Sequence, residues 1–419
     1  MAANQNREFD FILLGPTGYT GRLCAEYVVK NLPTDLKWGI AGRSAQKLEA
    51  VASELKKINQ DRVQPEIFPL QLNEAELKPL VSKARLVINC VGPYHLYSTP
   101  VVAACAHHGT HYLDVTGEVP WVKQMIAKYH DVAKANKCLI IPCNGVESAP
   151  ADVLTWALVN LIRQQLQVGT KELVLSLHDM KSAGPSGGTL ATVLTTLETV
   201  KVKDLMKSSG PFSIAAVPPS EKLGSRSLFE KIFGIRTVPD LGTLTTSIAA
   251  SVDVPVVHRS SSLAPGFYGS RFRLWELMKA RNAFTGILTH FAIAIGFFAI
   301  MFSPVRMLLQ RYIFQPGQGP ERNEASKHDY VEYRGIATAD EVTTNGRPAK
   351  RAYGKLTFEG DMYWLTGLLL AEAAMVILKN EKELVEKNNG GLLTPSTLGQ
   401  EYVDRLNQAG VSIETNMLE

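Results

Sequence analysis

Neither sign of charge dominates this chain: 44 Lys and Arg face 40 Asp and Glu over 419 residues, leaving a net charge of +4 and no long run of like charge. So weak a field does not hold nucleic acid, and a pair such as Lys350-Arg351 is ordinary solvated surface. Cysteine is scarce. The five, Cys24, Cys90, Cys105, Cys138 and Cys143, are odd in number and form no C-x-x-C. That argues against a disulfide scaffold and predicts reduced thiols in a cytosolic setting. No His/Cys/Glu spacing has the pattern of a zinc site, so no metal is expected. No tyrosine is followed by lysine four residues on, which removes the Tyr-x-x-x-Lys pair that short-chain dehydrogenases use. Low-complexity tracts and internal repeats are missing as well, and 45% of the residues are hydrophobic, as a chain with full cores requires. The polar start, MAANQNREFD, runs straight into an apolar stretch and predicts no secretory leader.

What is present begins at Phe9 with FDFILLGPTGYTG. A short apolar strand, Phe9 to Leu14, enters a turn with glycine at every third position, Gly15, Gly18 and Gly21, and a helix from about Gly18 to Asn31 follows. In such a strand-turn-helix the first glycine permits the turn. The second lets the backbone approach a pyrophosphate, and the third lets the helix pack on the strand, with the helix N-terminus aimed at the phosphates. The residues expected to cradle a dinucleotide are Gly15, Thr17, Gly18, Tyr19, Thr20 and Gly21. A second strand, Leu36 to Ala41, ends in Gly42-Arg43-Ser44 at the position where an NAD site carries Asp or Glu for the ribose. Arg43 and Ser44 offer a planar cation and a hydroxyl instead, which suits a 2′-phosphate and predicts NADP(H).

The same rhythm continues to Pro142, with strands at Pro65 to Leu70, Arg85 to Val91, His111 to Val115 and Cys138 to Pro142 separated by helices. Alternation of this kind predicts a doubly wound parallel sheet of the α/β class, with ligands at the carboxyl ends of the strands. Asn89, Val91, Gly92 and Pro93 are therefore assigned to the cofactor, and Tyr94, His95, Asp114 and Glu118 are the candidates for proton chemistry. Asp114 and Glu118 have capping of the helix near Val119 as their alternative, and Glu147 and Ser148 precede Ala149-Pro150 with Ser148 as an N-cap. Ser186-Gly187-Gly188-Thr189 opens a helix whose free N–H groups suit a substrate oxygen.

Beyond this unit the text becomes mixed, with β-like runs such as Thr246 to Val257. The expected division is residues 1–150 as the cofactor domain, 151–360 as a second mixed α/β domain for substrate or dimer contacts, and 361–419 as a C-terminal segment packing back on the first. The longest anomaly is Ala283 to Phe302, AFTGILTHFAIAIGFFAIMF, uncharged throughout and flanked by Lys279, Arg281, Arg306 and Arg311. Its length just suffices for a bilayer, whose core takes about 20 residues of helix. Three fates are open to it: insertion into a membrane or lipid-droplet surface, a core or dimer-interface helix, or a true span.

These stretches resemble the saccharopine dehydrogenase-like oxidoreductases, and within them the trans-acting enoyl reductase branch. The likeness rests on LLGPTGYTGRL at 13–23, AGRSAQKL at 41–48, VINCVGPYHLYSTPVVAACAHHGTHYLDVTGE at 87–118 and GVESAPADV at 145–153. It continues with SGGT at 186–189, GDMYWLTGLLLAEAA at 360–374 and GGLLTPSTLGQEYVDRL at 390–406. The resemblance implies an NADP-binding Rossmann domain, a second domain on an open sheet, and reduction of a double bond in a lipid or polyketide chain. A saccharopine-type imine or carbonyl reductase is the rival enzyme, and a catalytically silent NADP(H)-binding protein at a lipid surface is the rival outside enzymes. The cytoplasmic side of a membrane or lipid droplet is the expected location, with the cytosol as alternative.

Overall fold

The computed structural model of the chain describes residues 7–182, 184, 187–199, 205, 207–217, 226–312, 319, 328–341 and 348–419. The alternation read in the first 142 residues is seen as β1 (Phe9–Leu14), α1 (Tyr19–Asn31), β2 (Trp38–Gly42), α2 (Ala45–Ile58), β3 (Glu66–Pro69), α3 (Glu74–Lys83), β4 (Ala84–Asn89), α4 (Thr99–His108), β5 (His111–Asp114), α5 (Val119–Ala135) and β6 (Leu139–Ile141). Every strand pairing is parallel, and the order is β3-β2-β1-β4-β5-β6, closed at the far edge by β13 (Gly391–Leu392). Phe11, Leu13, Ile40 and Ile88 point to one buried face and Ile12, Leu14, Val87 and Tyr112 to the other, as a parallel sheet covered on both sides demands. The chain order reverses between β1 and β4, and a crevice opens there at the strands' carboxyl ends.

Helix α6 (Ala149–Leu166) carries the chain to a second, mixed sheet of order β14-β12-β11-β7-β10-β9-β8. Its strands are β7 (Thr170–Lys181), β8 (Arg236–Val238), β9 (Gly242–Thr246), β10 (Arg273–Lys279), β11 (Tyr330–Ala339), β12 (Arg351–Glu359) and β14 (Ser412–Leu418). Between them stand α7 (Gly187–Thr199), α8 (Leu228–Phe233), α9 (Ala250–Leu263), α10 (Ala283–Ile300) and α11 (Ser303–Tyr312). The run Thr246 to Val257 is a correction. The strand ends at Thr246 and the valines belong to α9, where burial of Val256 and Val257 overrides the β preference of branched residues.

The C-terminal segment ties the two sheets together. Helix α12 (Met362–Asn388) packs along α1, where Tyr27 Oη donates to Glu372 Oε1 at 2.8 Å. Strand β13 then joins the first sheet, α13 (Gln400–Gln408) packs against α12, and β14 pairs with β12 in the second sheet.

Helix α10 was open to three readings, and packing into the core of its own chain is not what it does. Of its residues only Gly286 is buried. Asn282 and Thr285 form a capping box at its start, His290 Nδ1 meets Thr246 Oγ1 at 2.7 Å, and the Arg306 guanidinium caps the carbonyls of Ile300 and Met301 at 3.1 and 2.7 Å. The base of the helix is thus seated on β9 by polar contacts, while its apolar remainder stands clear of the protein.

Candidate active site

The crevice is built around the glycine turn. Gly15 has φ +79°, and an added Cβ would lie 2.8 Å from Val91 Cγ2 at the end of β4, so the turn needs glycine both for its backbone and for its closeness to the neighbouring strand. At Gly21 a Cβ would collide with the Gly15 carbonyl, which records how tightly α1 closes on the turn. Gly18 differs from both: among the described residues an added Cβ would meet within 4 Å only Gly15 O, at 3.5 Å, so this position is open to a ligand as far as they go. It precedes α1 with no side-chain cap, leaving the first N–H groups of the helix to a ligand. A tight turn, an open second glycine and an uncapped helix start are what a pyrophosphate requires. Thr17 is exposed at the tip, and Thr20 is half-buried. The Tyr19 ring lies 5.0 Å from Tyr363 edge-on, with the backbone of Gly319 against its face, so it walls the site.

Arg43 is exposed at the carboxyl end of β2 and has no partner among the described residues, so its guanidinium is free for a phosphate. Ser44 is not equally free, because its Oγ accepts from Lys47 N at 3.4 Å and caps α2.

The ends of β4, β5 and β6 are braced by the very polar groups that sequence marked for chemistry. Asn89, fully buried, donates from Nδ2 to Ser98 Oγ at 2.8 Å and Tyr112 Oη at 3.0 Å and accepts from Val91 N at 3.1 Å, shaping the turn rather than reaching out of it. Glu118 does not cap α5. Its carboxylate turns back to accept from the amides of Tyr94 and His95 at 2.7 and 2.8 Å, and meets His95 Nδ1 at 2.6 Å. Asp114 accepts from Thr116 N, Cys143 N and Tyr112 Oη at 3.0, 3.0 and 2.8 Å, and burial pushes its carboxyl up to about 7 against those bonds. Tyr94 is buried, its hydroxyl donating to Asn89 O at 3.2 Å, and burial raises it well above the usual phenol range. His95 Nε2 is enclosed and has no partner among the described residues. Gly92 stays exposed next to buried Pro93, and Thr192 of α7 faces it, with Oγ1 3.9 Å from an added Gly92 Cβ. Helix α7 therefore forms the opposite wall of the crevice. Gly187, Gly188 and Thr189 are its first residues, and Ser186 lies outside the described residues.

Residues 11–141 match the family model of the saccharopine dehydrogenase NADP binding domain. Over the whole length, a Mycobacterium tuberculosis protein bearing the trans-acting enoyl reductase name is 31% identical across 435 residues, 98% of each chain. The trans-acting enoyl reductase of Mycobacterium bovis is 30% identical across 432 residues, 98% of this chain and 99% of its own. This chain belongs to the saccharopine dehydrogenase-like oxidoreductases, in the trans-acting enoyl reductase branch. The fold agrees: saccharopine dehydrogenase (L-Glu forming) from Saccharomyces cerevisiae superposes with a TM-score of 0.52 at 13% identity, over 98% of this chain and 100% of that one.

The protein is an NADP-dependent oxidoreductase, and the turn, the uncapped helix and Arg43 fit that cofactor. Replacing Arg43 with Asp is expected to weaken NADPH binding by about 30-fold, the worth of about 2 kcal/mol for a charge-assisted phosphate contact, and to change NADH binding by less than about threefold. Titration of both nicotinamides by fluorescence measures this, and equal losses would move the 2′-phosphate elsewhere.

Among the oxidoreductase's crevice residues Glu147 carried the weakest sequence signal. It sits in the loop after β6 and is solvent-exposed, with Oε2 3.5 Å from where a Gly117 side chain would begin. Beside it Ser148 makes no capping bond to α6. Asp253 and Glu276 are buried in the second unit and were announced by no motif, because they come from a helix and a strand far apart in the chain.

Proposed function

We propose that the chain reduces the carbon–carbon double bond of a lipid-like enoyl substrate, and that it does so at a lipid surface on the cytoplasmic side of a membrane or droplet. Bound NADPH supplies hydride to the acceptor. The chain's part is to hold that cofactor on the glycine turn and Arg43, to seat the acceptor between Gly92 and α7, and to provide a proton. The names of the full-length relatives support the enoyl chemistry. The observation that carries the lipid half is α10, an uncharged helix standing almost wholly outside the protein with Phe284, Leu288, Ile295 and Phe298 between 55% and 70% exposed. Monomeric soluble proteins seldom leave so large an apolar surface uncovered. Helix α8 lies beside its base and exposes Leu228, Phe229 and Ile232, widening the same face. Handling a small charged amino acid needs no such surface.

The purified protein, given NADPH and a long-chain trans-2-enoyl thioester in phosphatidylcholine vesicles, is expected to oxidise the nicotinamide and release the saturated thioester, followed by absorbance and mass spectrometry. Consumption only with an amino acid plus an aldehyde would make it an imine reductase instead. Consumption with neither, beside intact NADPH binding, would leave a cofactor-binding protein without turnover.

A further inference from the structure

One tryptophan of the second sheet gathers three arginines. Successive side chains of a strand point to opposite faces, so Arg273, Trp275 and Lys279 of β10 share one face. The register sets Glu172 of β7 beside Arg273 and, through Leu244 of β9, places Arg236 of β8 in the row of Lys279. The guanidinium groups of Arg273, Arg226 and Arg236 stand 4.0, 5.0 and 5.8 Å from the centre of the Trp275 ring. A ring face attracts cations without neutralising them. Two carboxylates do part of that: Arg236 Nη2 meets Glu172 Oε1 at 2.6 Å, and its Nε lies 3.8 Å from Glu230 Oε1. Glu230 is itself held in place, because its Oε2 accepts from Ser227 N at 2.8 Å in the capping box of α8. Three guanidinium groups against two carboxylates leave a positive charge over, before Lys279 is counted. Arg226 is where that charge is open. It is half-buried over the ring and has no hydrogen-bond partner among the described residues, so the donors of its planar fork are left for a ligand.

The cluster also brackets an apolar helix. Arg226 stands just before α8 and Arg236 just after it, so Leu228, Phe229 and Ile232, which are 74%, 56% and 47% exposed, project from a segment whose two ends lie at Trp275. The turn after α8 packs on the base of α10: an added Cβ at Gly234 would fall 2.4 Å from His290 Cγ, and one at Gly286 would fall 2.4 Å from Ile235 Cδ1. A cationic site and two exposed apolar helices share this border, and a phospholipid has the complementary layout, an anionic phosphate above acyl chains. We infer that Arg226, Arg236 and Arg273 around Trp275 bind the phosphate of an anionic phospholipid headgroup, with α8 and α10 among its acyl chains. The inference rests on the lipid-surface reading and names the lipid group recognised. Guanidinium forks match pairs of phosphate oxygens, so the site fixes one orientation of the protein on the surface, which scattered charges such as Lys231 and Arg281 do not.

The test is partition of the full chain onto phosphatidylcholine vesicles with and without phosphatidylglycerol, read by flotation at low salt. The wild type is expected to bind the anionic vesicles about 10-fold or more above the neutral ones. Arg226→Gln should lose about 10-fold on anionic vesicles and nothing on neutral ones, with NADPH binding retained. Arg226→Lys keeps the charge but loses the planar fork, and a built site should lose about fivefold or more in it. Wild-type partition in Arg226→Lys would mean general attraction only and would overturn the assignment. Glycerol phosphate identifies the source. If it binds at micromolar concentration without vesicles, read as a fluorescence change that Trp275→Phe abolishes, the occupant is a soluble phosphate ester and the headgroup is wrong. Neutral vesicles separate the two readings: a wild type that floats on phosphatidylcholine and gains nothing from phosphatidylglycerol keeps the lipid surface and loses this site, whereas one that floats on neither loses both.

Discussion

Gly18→Val is expected to weaken NADPH binding by about 100-fold or more, close to 3 kcal/mol, while the thermal unfolding midpoint stays within about 2 °C of the wild type. The reason lies in what each glycine of the turn touches. Among the described residues an added Cβ at Gly18 meets nothing closer than Gly15 O at 3.5 Å, so they do not exclude a side chain there. The branched methyl groups of valine project into the space in front of the uncapped start of α1, where phosphate oxygens must come within hydrogen-bond distance of the N–H groups. Gly21→Ala provides the contrast. Its Cβ would overlap the Gly15 carbonyl and sit 2.8 Å from that carbonyl's carbon, so α1 would have to move off the strand. Overpacking of this kind costs about 1–3 kcal/mol, and Gly21→Ala should therefore lower the midpoint as well as the affinity. Nicotinamide fluorescence and differential scanning calorimetry read the two quantities separately. If Gly18→Val binds NADPH normally, the pyrophosphate does not lie on this turn.

Substituting Leu288, Ile295, Phe297 and Phe298 together with Ser should release the protein from phosphatidylcholine vesicles in a flotation gradient, with NADPH binding and thermal stability retained. These four side chains are between 50% and 66% exposed, so removing them takes little from the packed protein. In a lipid surface each would be worth up to about 1.5–3 kcal/mol, and losing four is ample to reverse partitioning. Lys279 and Arg281 just before the helix, and Lys231 on α8, add attraction to anionic head groups, so binding to vesicles containing phosphatidylserine should be tighter and should weaken with salt. A wild type that stays at the bottom of the gradient would refute the lipid assignment. If sedimentation then showed a dimer that the four substitutions dissociate, the cover of this face would be a second copy of the chain.

The first sheet was legible because its signals are local. An apolar strand, glycines at every third residue and an unpaired Arg at the next strand end lie within one stretch of chain, and the strand-helix alternation from Phe9 to Ile141 leaves only one economical way to bury both faces of the sheet. The polar residues after β4 and β5 were legible as a cluster but not in their roles. Whether Glu118 caps α5 or braces the Tyr94 and His95 amides depends on where the β4 turn lies, and that turn is 23 residues away from it along the chain at His95.

Two helices show what composition could not decide. Ala283–Ile300 and Met362–Asn388 are both long and apolar enough to cross a membrane, yet 83% of the apolar window in the second is buried and only 6% in the first. Met362–Asn388 lies between α1 and α13 and becomes core, whereas Ala283–Ile300 is seated on β9 at its base and has no second layer above it among the described residues. In the same way Asp253 and Glu276 become buried only when α9 and β10 are brought together. Sequence by itself determined the cofactor fold and the choice of NADP(H), since both are written in neighbouring residues. Burial belongs to pairs of elements, and only the tertiary structure chooses which elements meet.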